Sequence, residues 1–564
     1  PDAYSVKAGH SLTVAAGGSI WVGGLGYARE NGPGRGINGG SVGSGAGYGG
    51  KGGDQIYSIG SSGVGGAPYG SISAPTDPGS GGGRTDIGGC GGGVIRIEAS
   101  GDVQVDGQLN ANGMDGNAGS YGGGGAGGSI YVTGYRLGGG TGGVFRADGG
   151  NAGYNFDYPG AGGGGRLAVL FTMTNGTPGI RFSANAGGRS GQRVDRGYPY
   201  PEEFRAPEIG TLYFSNPALL NAVLAAGGGT GTMLNGYVYF ASTQIWERAS
   251  LVLSNSTLGI PSDYRWVITN QMQLATGGVV MAPYSALAVG GDVAMTQGAI
   301  WRVYAGETNA VRTPAGSYVD VGGAIVLASN CWIHPFSHST NGGSVRFRLG
   351  QLTIQPGGGI DASGRGYARQ RGEGKGTTSS GIASGAGYGG RGGDSLSGYG
   401  AKGGPAYGST NVPLQAGSGG GYDSSGHRGG SGGGLIWMEV AGNVTVNGSI
   451  LANGAHGVAY GGGGSGGGIF ISCTGFQGSV SGILAATGGN AGPSYPGGGA
   501  GGRISVAVGL DPERVSNLVA GLVVAGLHTY SNHAAFAGVL SVTNGIGYAN
   551  PPAATNAYPG SQLF

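Results

Sequence analysis

Short runs of alternating apolar and polar residues recur along the chain. Two examples are residues 94–98, VIRIE, and residues 129–132, SIYV. A period of two is the pattern of a β-strand with one buried face. Helical periodicity is nearly absent, and the best helix candidate is the short segment 217–226, which has a proline in its first turn. The pattern therefore predicts an all-β chain.

One stretch indicates how these strands are connected. Residues 101–113, GDVQVDGQLNANG, have the order strand, turn, short strand, turn, and the residues predicted to face inward are Val103, Val105, Leu109 and Ala111. Stacked coils of this kind bury such rows in one continuous core. A β-sandwich is the main alternative, but the two-residue Asn-Gly hairpin that would pair its strands is not the recurring motif. The predicted architecture is a parallel β-helix, a solenoid.

The chain contains two copies of one glycine-rich unit. Residues 44–54, SGAGYGGKGGD, recur as residues 384–394, SGAGYGGRGGD, with Lys51 exchanged for Arg391 as the one difference. Distinctive residues elsewhere keep the same register: GYAR at 26–29 returns at 366–369, and GGRL at 164–167 returns as GGRI at 501–504. The fold class is therefore predicted to be internally duplicated, with long glycine-rich loops.

The duplication predicts four segments. A glycine-rich β-helix unit at 1–170 is followed by a glycine-poorer β-helix or connecting segment at 171–350, in which short apolar runs recur about every 20 to 25 residues. The second glycine-rich unit occupies 351–510. Residues 511–564 are predicted to form a terminal β segment and an extended C-terminal tail.

Composition excludes several classes of protein. Glycine makes up 141 of 564 residues, but runs such as 122–125 break the period of collagen, and 29 Tyr and 6 Trp give the chain apolar surface that a disordered linker lacks. The net charge of +2, without any basic run, argues against nucleic-acid binding. The longest apolar stretch, 518–527, is about half of the roughly 20 residues that a membrane helix needs. No membrane span is predicted.

The glycine tracts leave two interpretations open. Residues 121–128 and 460–468 have no side chains to fill a core, and glycine loses much backbone entropy on ordering. They are either flexible excursions or extended, polyproline-II-like segments packed so closely that only hydrogen fits. The presence of tracts and tyrosines at matching places in both copies favours ordered packing.

The second copy resembles a known group of proteins. The residues that carry the resemblance are GGGLI at 432–436, NGSILANG at 447–454, the glycine tract at 461–468 and GGRI at 501–504. In these the chain resembles glycine-rich right-handed parallel β-helix repeat proteins of the bacterial secreted and surface type. The resemblance covers both units and implies the fold and an extracellular or cell-surface setting. It implies no defined activity.

Candidate chemical groups are few. A hydrolase would need paired carboxylates, and a lyase would need a base beside a charge-neutralising group. Most acidic candidates lie beside glycine in turns, where an Asp caps its own backbone; they are Asp54, Asp86, Asp106, Asp361, Asp394 and Asp423. The best lyase candidates are the duplicated pairs Tyr27/Arg29 and Tyr367/Arg369, but duplication favours a packing role.

Metal and redox chemistry have no stronger support. His334 and His338 could approach each other, yet Pro335 opposes a helix and no third ligand is near in the sequence. No tract repeats the acidic nonapeptide of calcium-binding β-rolls. The three cysteines, Cys90, Cys331 and Cys473, are interpreted as small hydrophobic residues. The sequence therefore predicts no catalytic residue, no metal site, no cofactor and no enzyme.

The predicted function is structural. We expect an extracellular protein that is either the subunit of a cell-surface filament or sheath, assembled head-to-tail from copies of itself, or an adhesin-like stalk. A coil that begins at Leu12 without a capping helix, and a Pro- and Ala-rich tail at 548–564, motivate this expectation. The alternative is a polysaccharide-binding protein or a polysaccharide lyase or hydrolase on a β-helix, with Trp332 and Tyr422 as candidates for stacking on sugars.

Overall fold

A computed structural model describes most of the chain, and it divides into two compact units. Unit 1 comprises the described residues up to 188, then 206–246 and 253–261, and unit 2 comprises 247–252 and the described residues from 262 onward. The structure describes residues 4–39, 42–55, 63–84, 86–117, 121–153, 159–188, 206–226, 233–309, 315–396, 398–422, 429–493, 495–509, 517, 536–547 and 557–563.

Nearly every regular element of the first part of the chain is a strand. The elements up to residue 240, all in unit 1, are β1 (Tyr4–Ala8), β2 (Leu12–Val14), β3 (Ser19–Trp21), β4 (Asn38–Gly39), β5 (Val42–Gly43), β6 (Val94–Ala99), β7 (Asp102–Val105), β8 (Gln108–Asn110), β9 (Ser129–Gly138), β10 (Val144–Arg146), β11 (Arg166–Thr174), β12 (Arg181–Ser183), β13 (Thr211–Phe214), α1 (Pro217–Ala226) and β14 (Leu234–Phe240). The helix has the predicted bounds.

In unit 1 these strands form three parallel sheets, to which successive coils contribute in turn. The first sheet contains β1, β6, β9, β11, β13 and the end of β14. The second contains β2, β7, the last part of β9 and the end of β11. The third contains β3, β8, β10, β12 and the start of β14. In the last of these coils, α1 stands in the chain between a first-sheet strand and a third-sheet strand.

The core of unit 1 consists of rows of inward side chains in strand register. On the first sheet, the row consists of Ile95, Ile130, Leu167, Leu212 and Val238, which are all buried. The four residues predicted from residues 101–113 to face inward are each 0% exposed. Such rows explain the alternating pattern, because every second residue of a strand points into the coil.

The rest of the chain is built in the same way. The remaining strands are β15 (Ile245–Arg248), β16 (Leu251–Ile260), β17 (Arg265–Ile268), β18 (Met272–Met281), β19 (Ala286–Val289), β20 (Val293–Thr296), β21 (Ile300–Tyr304), β22 (Ser317–Leu327), β23 (Trp332–Phe336), β24 (Val345–Ile354), β25 (Gly359–Asp361), β26 (Thr378–Ser379), β27 (Ile382–Ala383), β28 (Leu435–Val440), β29 (Asn443–Val446), β30 (Ser449–Leu451), β31 (Gly468–Cys473), β32 (Gly475–Gln477), β33 (Ile483–Ala485), β34 (Arg503–Val508), β35 (Val539–Ser541) and β36 (Ser561–Leu563).

Unit 2 also has three parallel sheets. Its first sheet contains β17, β19, β22, β24, β28, β31, β34 and β36, and the inward row on it includes Trp266, Phe347 and Met438. Long strands such as β22 and β24 turn a corner and supply the second sheet as well. The third sheet begins with the end of β18 and runs through β21, β23, β25, β30, β33 and β35. The predicted fold class, a duplicated parallel β-helix with glycine-rich loops, is confirmed.

The glycine tracts are packed segments between the third sheet of one coil and the first sheet of the next. They bond to each other through their backbones: Gly124 N–H donates to Gly160 O over 2.9 Å, and in unit 2 Gly463 N–H donates to Gly497 O over 3.0 Å. A Cβ placed on Gly45 would lie 1.8 Å from the Ala161 carbonyl oxygen. Ordered packing in which only hydrogen fits is therefore confirmed for the described tracts.

Other features bear on the predicted segments. Two-residue antiparallel pairs occur at β4–β5 and β26–β27, one in each copy. Within the described part of the chain, no helix is both long and apolar enough to cross a membrane. The stretch 518–527 and most of the tail 548–564 lie outside the described residues. The four-segment division describes sequence texture and stays a prediction.

Candidate functional site

The copied residues of unit 1 meet in a buried cluster, which we call the tyrosine–arginine lock. The ring of Tyr48 packs on that of Tyr69 at 4.8 Å, and the Arg166 guanidinium lies 5.4 Å from the Tyr48 ring centroid. Arg166 Nε donates to the Tyr69 carbonyl oxygen over 2.9 Å. The Ser80 hydroxyl donates to the Tyr69 hydroxyl over 2.9 Å and accepts from Gly34 N–H over 3.0 Å. The lock thus joins three glycine-rich segments to β11.

Unit 2 contains the same lock. Tyr388 packs on Tyr407 at 4.7 Å, and Arg503 lies 5.5 Å from the Tyr388 ring centroid while its Nε donates to the Tyr407 carbonyl oxygen over 3.1 Å. Ser418 donates to the Tyr407 hydroxyl over 2.8 Å. One partner differs, because Ser129, which shares a hydrogen bond of 2.6 Å with the Tyr48 hydroxyl, is replaced by Gly468.

The exchange of Lys51 for Arg391 between the copies keeps an ion pair with the same aspartate of each copy. Lys51 Nζ lies 2.9 Å from Asp54 Oδ1, and Arg391 binds Asp394 in the same place. Each aspartate also accepts a backbone N–H across the loop, from Gly65 or from Gly403, over 2.7 Å. Burial alone would raise the pKa of Asp394, but the Gly403 N–H and the cations Lys402 and Arg391 hold it below its ordinary value.

Two other candidate aspartates also form hydrogen bonds or ion pairs with neighbouring residues. Asp106 accepts Gly140 N–H over 2.7 Å and Gln104 Nε2 over 2.9 Å, which lowers its pKa. Asp86 is exposed and pairs with Arg84 at 3.2 Å. Asp423 lies outside the described residues. These contacts agree with capping roles.

Asp361 lies in a small cluster with His334. Arg365 Nη1 donates to Asp361 Oδ2 over 2.8 Å, and His334 Nδ1 lies 3.9 Å from the same oxygen. Burial works against ionisation of Asp361, but Arg365 and Ser363 outweigh it and lower the pKa. His338 lies 3.8 Å from Glu307 instead, so the two histidines have different partners. No group of three or more possible ligands (His, Cys, Asp or Glu) occurs in the described ranges.

Of the duplicated tyrosine–arginine candidates, Arg29 contacts the glycine layer, by which we mean the packed glycine-rich segments between the third sheet of one coil and the first sheet of the next. Arg29 Nε donates to the Gly88 carbonyl oxygen over 2.6 Å, and Arg369 lies 5.7 Å from the Tyr422 ring centroid. The Tyr367 hydroxyl donates to the Asn341 carbonyl oxygen over 3.0 Å, and burial raises its pKa.

The remaining candidates from the sequence are less prominent. Trp332 is half-buried with its ring stacked parallel to that of His334, while Tyr422 is 40% exposed. The three cysteines are free thiols. Cys331 and Cys473 are buried, and burial raises the pKa of Cys473 to about 12, which agrees with a hydrophobic role.

A groove that sequence reasoning did not find crosses the outward face of the first sheet of unit 2. Six neighbouring strands contribute to it, so at ~4.8 Å per strand its floor is about 24 Å long. The cavity volume is about 1090 Å³. The floor is a row in strand register: Val267, Ala288, Asp320, Arg348, Glu439 and Ser472.

Glycines in three successive coils leave part of one edge of the groove without side chains. After the first sheet, successive coils turn at Gly290, Gly322 and Gly350. A Cβ on Gly322 would lie 2.5 Å from the Gly290 carbonyl oxygen, and one on Gly350 would lie 2.3 Å from that of Gly322. The stacking of these coils therefore excludes side chains at the glycine positions, beside the part of the floor that contains Asp320 and Arg348.

Glu439 is fixed in the floor of the groove by three N–H donors. Arg346 donates from Nε to Oε1 over 2.9 Å and from Nη2 to Oε2 over 2.7 Å, and Trp437 Nε1 donates to Oε1 over 3.0 Å. The Arg346 guanidinium lies 4.9 Å from the Trp437 ring centroid. These donors hold the Glu439 carboxylate in one orientation.

Asp320 and Arg348 have bonding capacity left. They are register partners on β22 and β24. The Arg348 side chain is 53% exposed, and its Nε reaches Glu439 Oε2 at 3.6 Å. Asp320 is half-buried, and its Oδ1 has no hydrogen-bond partner within the described part of the chain. The groove therefore presents a guanidinium donor beside a carboxylate acceptor.

A sequence signal for part of this site exists in the duplication. Lys7 and Glu98 occupy in the first copy the places of Arg348 and Glu439, and Lys7 Nζ lies 3.6 Å from Glu98 Oε2. The basic–acidic pair is thus copied, as the Lys51 and Arg391 pairs are. Asp320 lies outside the copied unit, so the duplication could not indicate it.

Comparison of the chain with protein-family models, with curated proteins and with solved structures finds no match.

Proposed function

We propose that this protein is an extracellular structural protein, a β-helical building block of a cell-surface filament or sheath or of an adhesin-like stalk. The tyrosine–arginine lock is the observation that carries the proposal. Arg166 is 5% exposed and Arg503 is 7% exposed, and both bind carbonyl oxygens of the glycine layer. The duplicated residues therefore form internal architecture. A building block needs that architecture in each of its units, whereas an enzyme has no need of two equal copies of a catalytic site.

The direction of the strands suits assembly of copies. The described ladders that define the three main sheets of each unit are parallel, so each β-helix has two unlike ends. A contact between unlike ends of successive copies is heterologous and continues into a filament unless it closes a ring. We propose that copies associate head-to-tail into a filament or sheath. If copies do not associate, the protein would instead act as a stalk.

Electron microscopy of the purified chain over a range of concentrations tests assembly. We expect unbranched fibres whose abundance rises with concentration, whereas single particles at every concentration would favour the stalk. Antibody labelling of intact cells of the source tests the setting, and we expect surface label without permeabilisation. Label that appears only after permeabilisation would contradict an extracellular protein.

An enzymatic alternative is tested on the same preparation. Incubation with neutral and acidic polysaccharides, followed by measurement of new reducing ends and unsaturated products, should give no turnover. Turnover that is lost on Arg29→Ala or Arg369→Ala substitution would overturn the structural proposal, because those residues would then act on substrate and not on the glycine layer.

A further inference from the structure

We propose that the groove of unit 2 binds a linear oligosaccharide, with Arg348 donating to its oxygen atoms and Asp320 accepting from its hydroxyls. This inference goes beyond the structural function and stands on different residues. Its basis is the pairing of an exposed guanidinium with a half-buried carboxylate, whose buried Oδ1 atom lacks a hydrogen bond, on neighbouring strands of the groove.

The dimensions of the groove indicate an extended ligand. The floor of about 24 Å crosses six strands, and the glycine corner leaves part of one edge without side chains. A compact cofactor is held in a deep cleft that buries most of its surface. A polymer segment, which continues beyond the groove at both ends, fits an open channel.

The chemistry of the floor argues against other polymers. Arg346 and Arg348 are balanced by Asp320 and Glu439, so the groove has no net positive charge for a phosphate chain. A peptide strand binds best at a free sheet edge, where its backbone groups find partners. Here the groove lies on the face of a sheet whose backbone groups already pair with neighbouring strands.

Sugar hydroxyls match what the groove offers. Each hydroxyl both donates and accepts a hydrogen bond, so one ring can donate to Asp320 and accept from Arg348. The Oδ1 atom of Asp320 is buried, so it accepts from a ligand hydroxyl after the soft carboxyl torsion has turned it toward the groove. Val267 and Ala288 give the floor an apolar end for the C–H face of a ring. Glu439 acts as a positioning residue, since its donors are Arg346 and Trp437.

Unit 1 supplies a matched control. Lys7 stands 3.6 Å from Glu98, as Arg348 stands 3.6 Å from Glu439. Thr133 stands in register beside Glu98 as Ser472 does beside Glu439. Removing the Lys7 side chain therefore changes a similar surface charge without touching the proposed site.

Titration calorimetry of the full chain tests the proposal, with cellohexaose as the neutral probe and hexagalacturonate as the acidic one. We expect at least one to bind, and binding of the acidic probe alone would identify a carboxylate-bearing glycan as the ligand. Arg348→Ala and Asp320→Ala should each weaken binding about tenfold or more. Lys7→Ala should leave the dissociation constant unchanged.

Several results would overturn the inference: binding of neither probe, unchanged affinity in both groove variants, or an equal loss with Lys7→Ala. Far-ultraviolet circular dichroism and urea unfolding establish that each variant is folded. If Arg348→Ala does not fold, Arg348→Gln, which keeps the length of the side chain, replaces it. Fibre formation by Asp320→Ala separates this inference from the structural function, because loss of binding should leave assembly intact.

Discussion

The lock arginines place a full positive charge among apolar and backbone groups. Burial lowers the pKa of Arg166, but a guanidinium stays protonated in proteins, so its charge must be satisfied locally. Carbonyl oxygens of the glycine layer do this, together with the faces of Tyr48 and Tyr388. A lysine could not reproduce the arrangement, since it lacks the planar fork that serves several acceptors at once.

The lock tyrosines predict a loss of stability at alkaline pH. Burial raises the pKa of Tyr48 from 10.0 to about 12, and it also raises those of Tyr69, Tyr388 and Tyr407. Because the folded protein holds these protons more tightly than the unfolded chain, the stabilisation is complete below pH 10 and falls as pH rises from 10 toward 12. We expect Tyr48 alone to account for on the order of 2 kcal/mol of this decrease in the free energy of unfolding.

Urea unfolding at a series of pH values measures this effect, with the midpoint expected to decrease across that interval. Tyr48→Phe should remove part of the pH dependence, because phenylalanine keeps the ring packing and has no proton to lose. A midpoint that is constant up to pH 12 in the unsubstituted protein would contradict the role assigned to burial.

At the scale of elements, the glycine layer replaces side-chain packing with backbone contact. Ordering glycine is entropically expensive. That cost is opposed by hydrogen bonds between segments, such as Gly162 N–H to Gly150 O over 2.8 Å and its counterpart Gly499 N–H to Gly489 O over 2.9 Å. The approach is so close that the layer has no room for a methyl group at most positions.

Gly45→Ala should therefore be strongly destabilising. The added Cβ would lie 1.8 Å from a backbone oxygen, so the segments must separate, and we expect a loss of about 3 kcal/mol or more in the free energy of unfolding. Gly9→Ala is the control, because Gly9 is exposed and has nothing within 4 Å of its Cβ position. Urea denaturation of both variants checks this, and equal stabilities would show that the layer yields easily.

Strand content and inward rows could be predicted because they depend on local alternation, as for Val103 and Val105. The packing of the glycine tracts could be predicted from their duplication. The groove could not be predicted from the sequence, because Asp320, Arg348 and Glu439 become neighbours only through strand register. The chain between Arg348 and Glu439 is long. No local pattern encodes that register. The corner at Gly322 could not be predicted either, because the sequence does not show which backbone atoms a glycine packs against.

For the whole molecule, duplication means that each unit contains its own lock. In solenoids stability is roughly the sum of repeat stabilities and nearest-neighbour terms, so a lesion acts mainly where it is made. Arg503 contacts segments of unit 2, and Arg166 contacts segments of unit 1. Such an arrangement suits a building block, because damage to one copy leaves the other folded.

Arg503→Met tests this locality in the full chain. The substitution keeps an apolar stem but leaves the Tyr407 carbonyl oxygen without its donor, so we expect a loss of about 3 kcal/mol. Hydrogen exchange followed by mass spectrometry should show faster exchange in peptides around Tyr388 and Tyr407, with no change around Tyr48 and Tyr69. Arg166→Met should give the opposite distribution. Uniformly faster exchange in both sets of peptides would show that the copies unfold as one cooperative body, and the description of two self-sufficient locks would then be wrong.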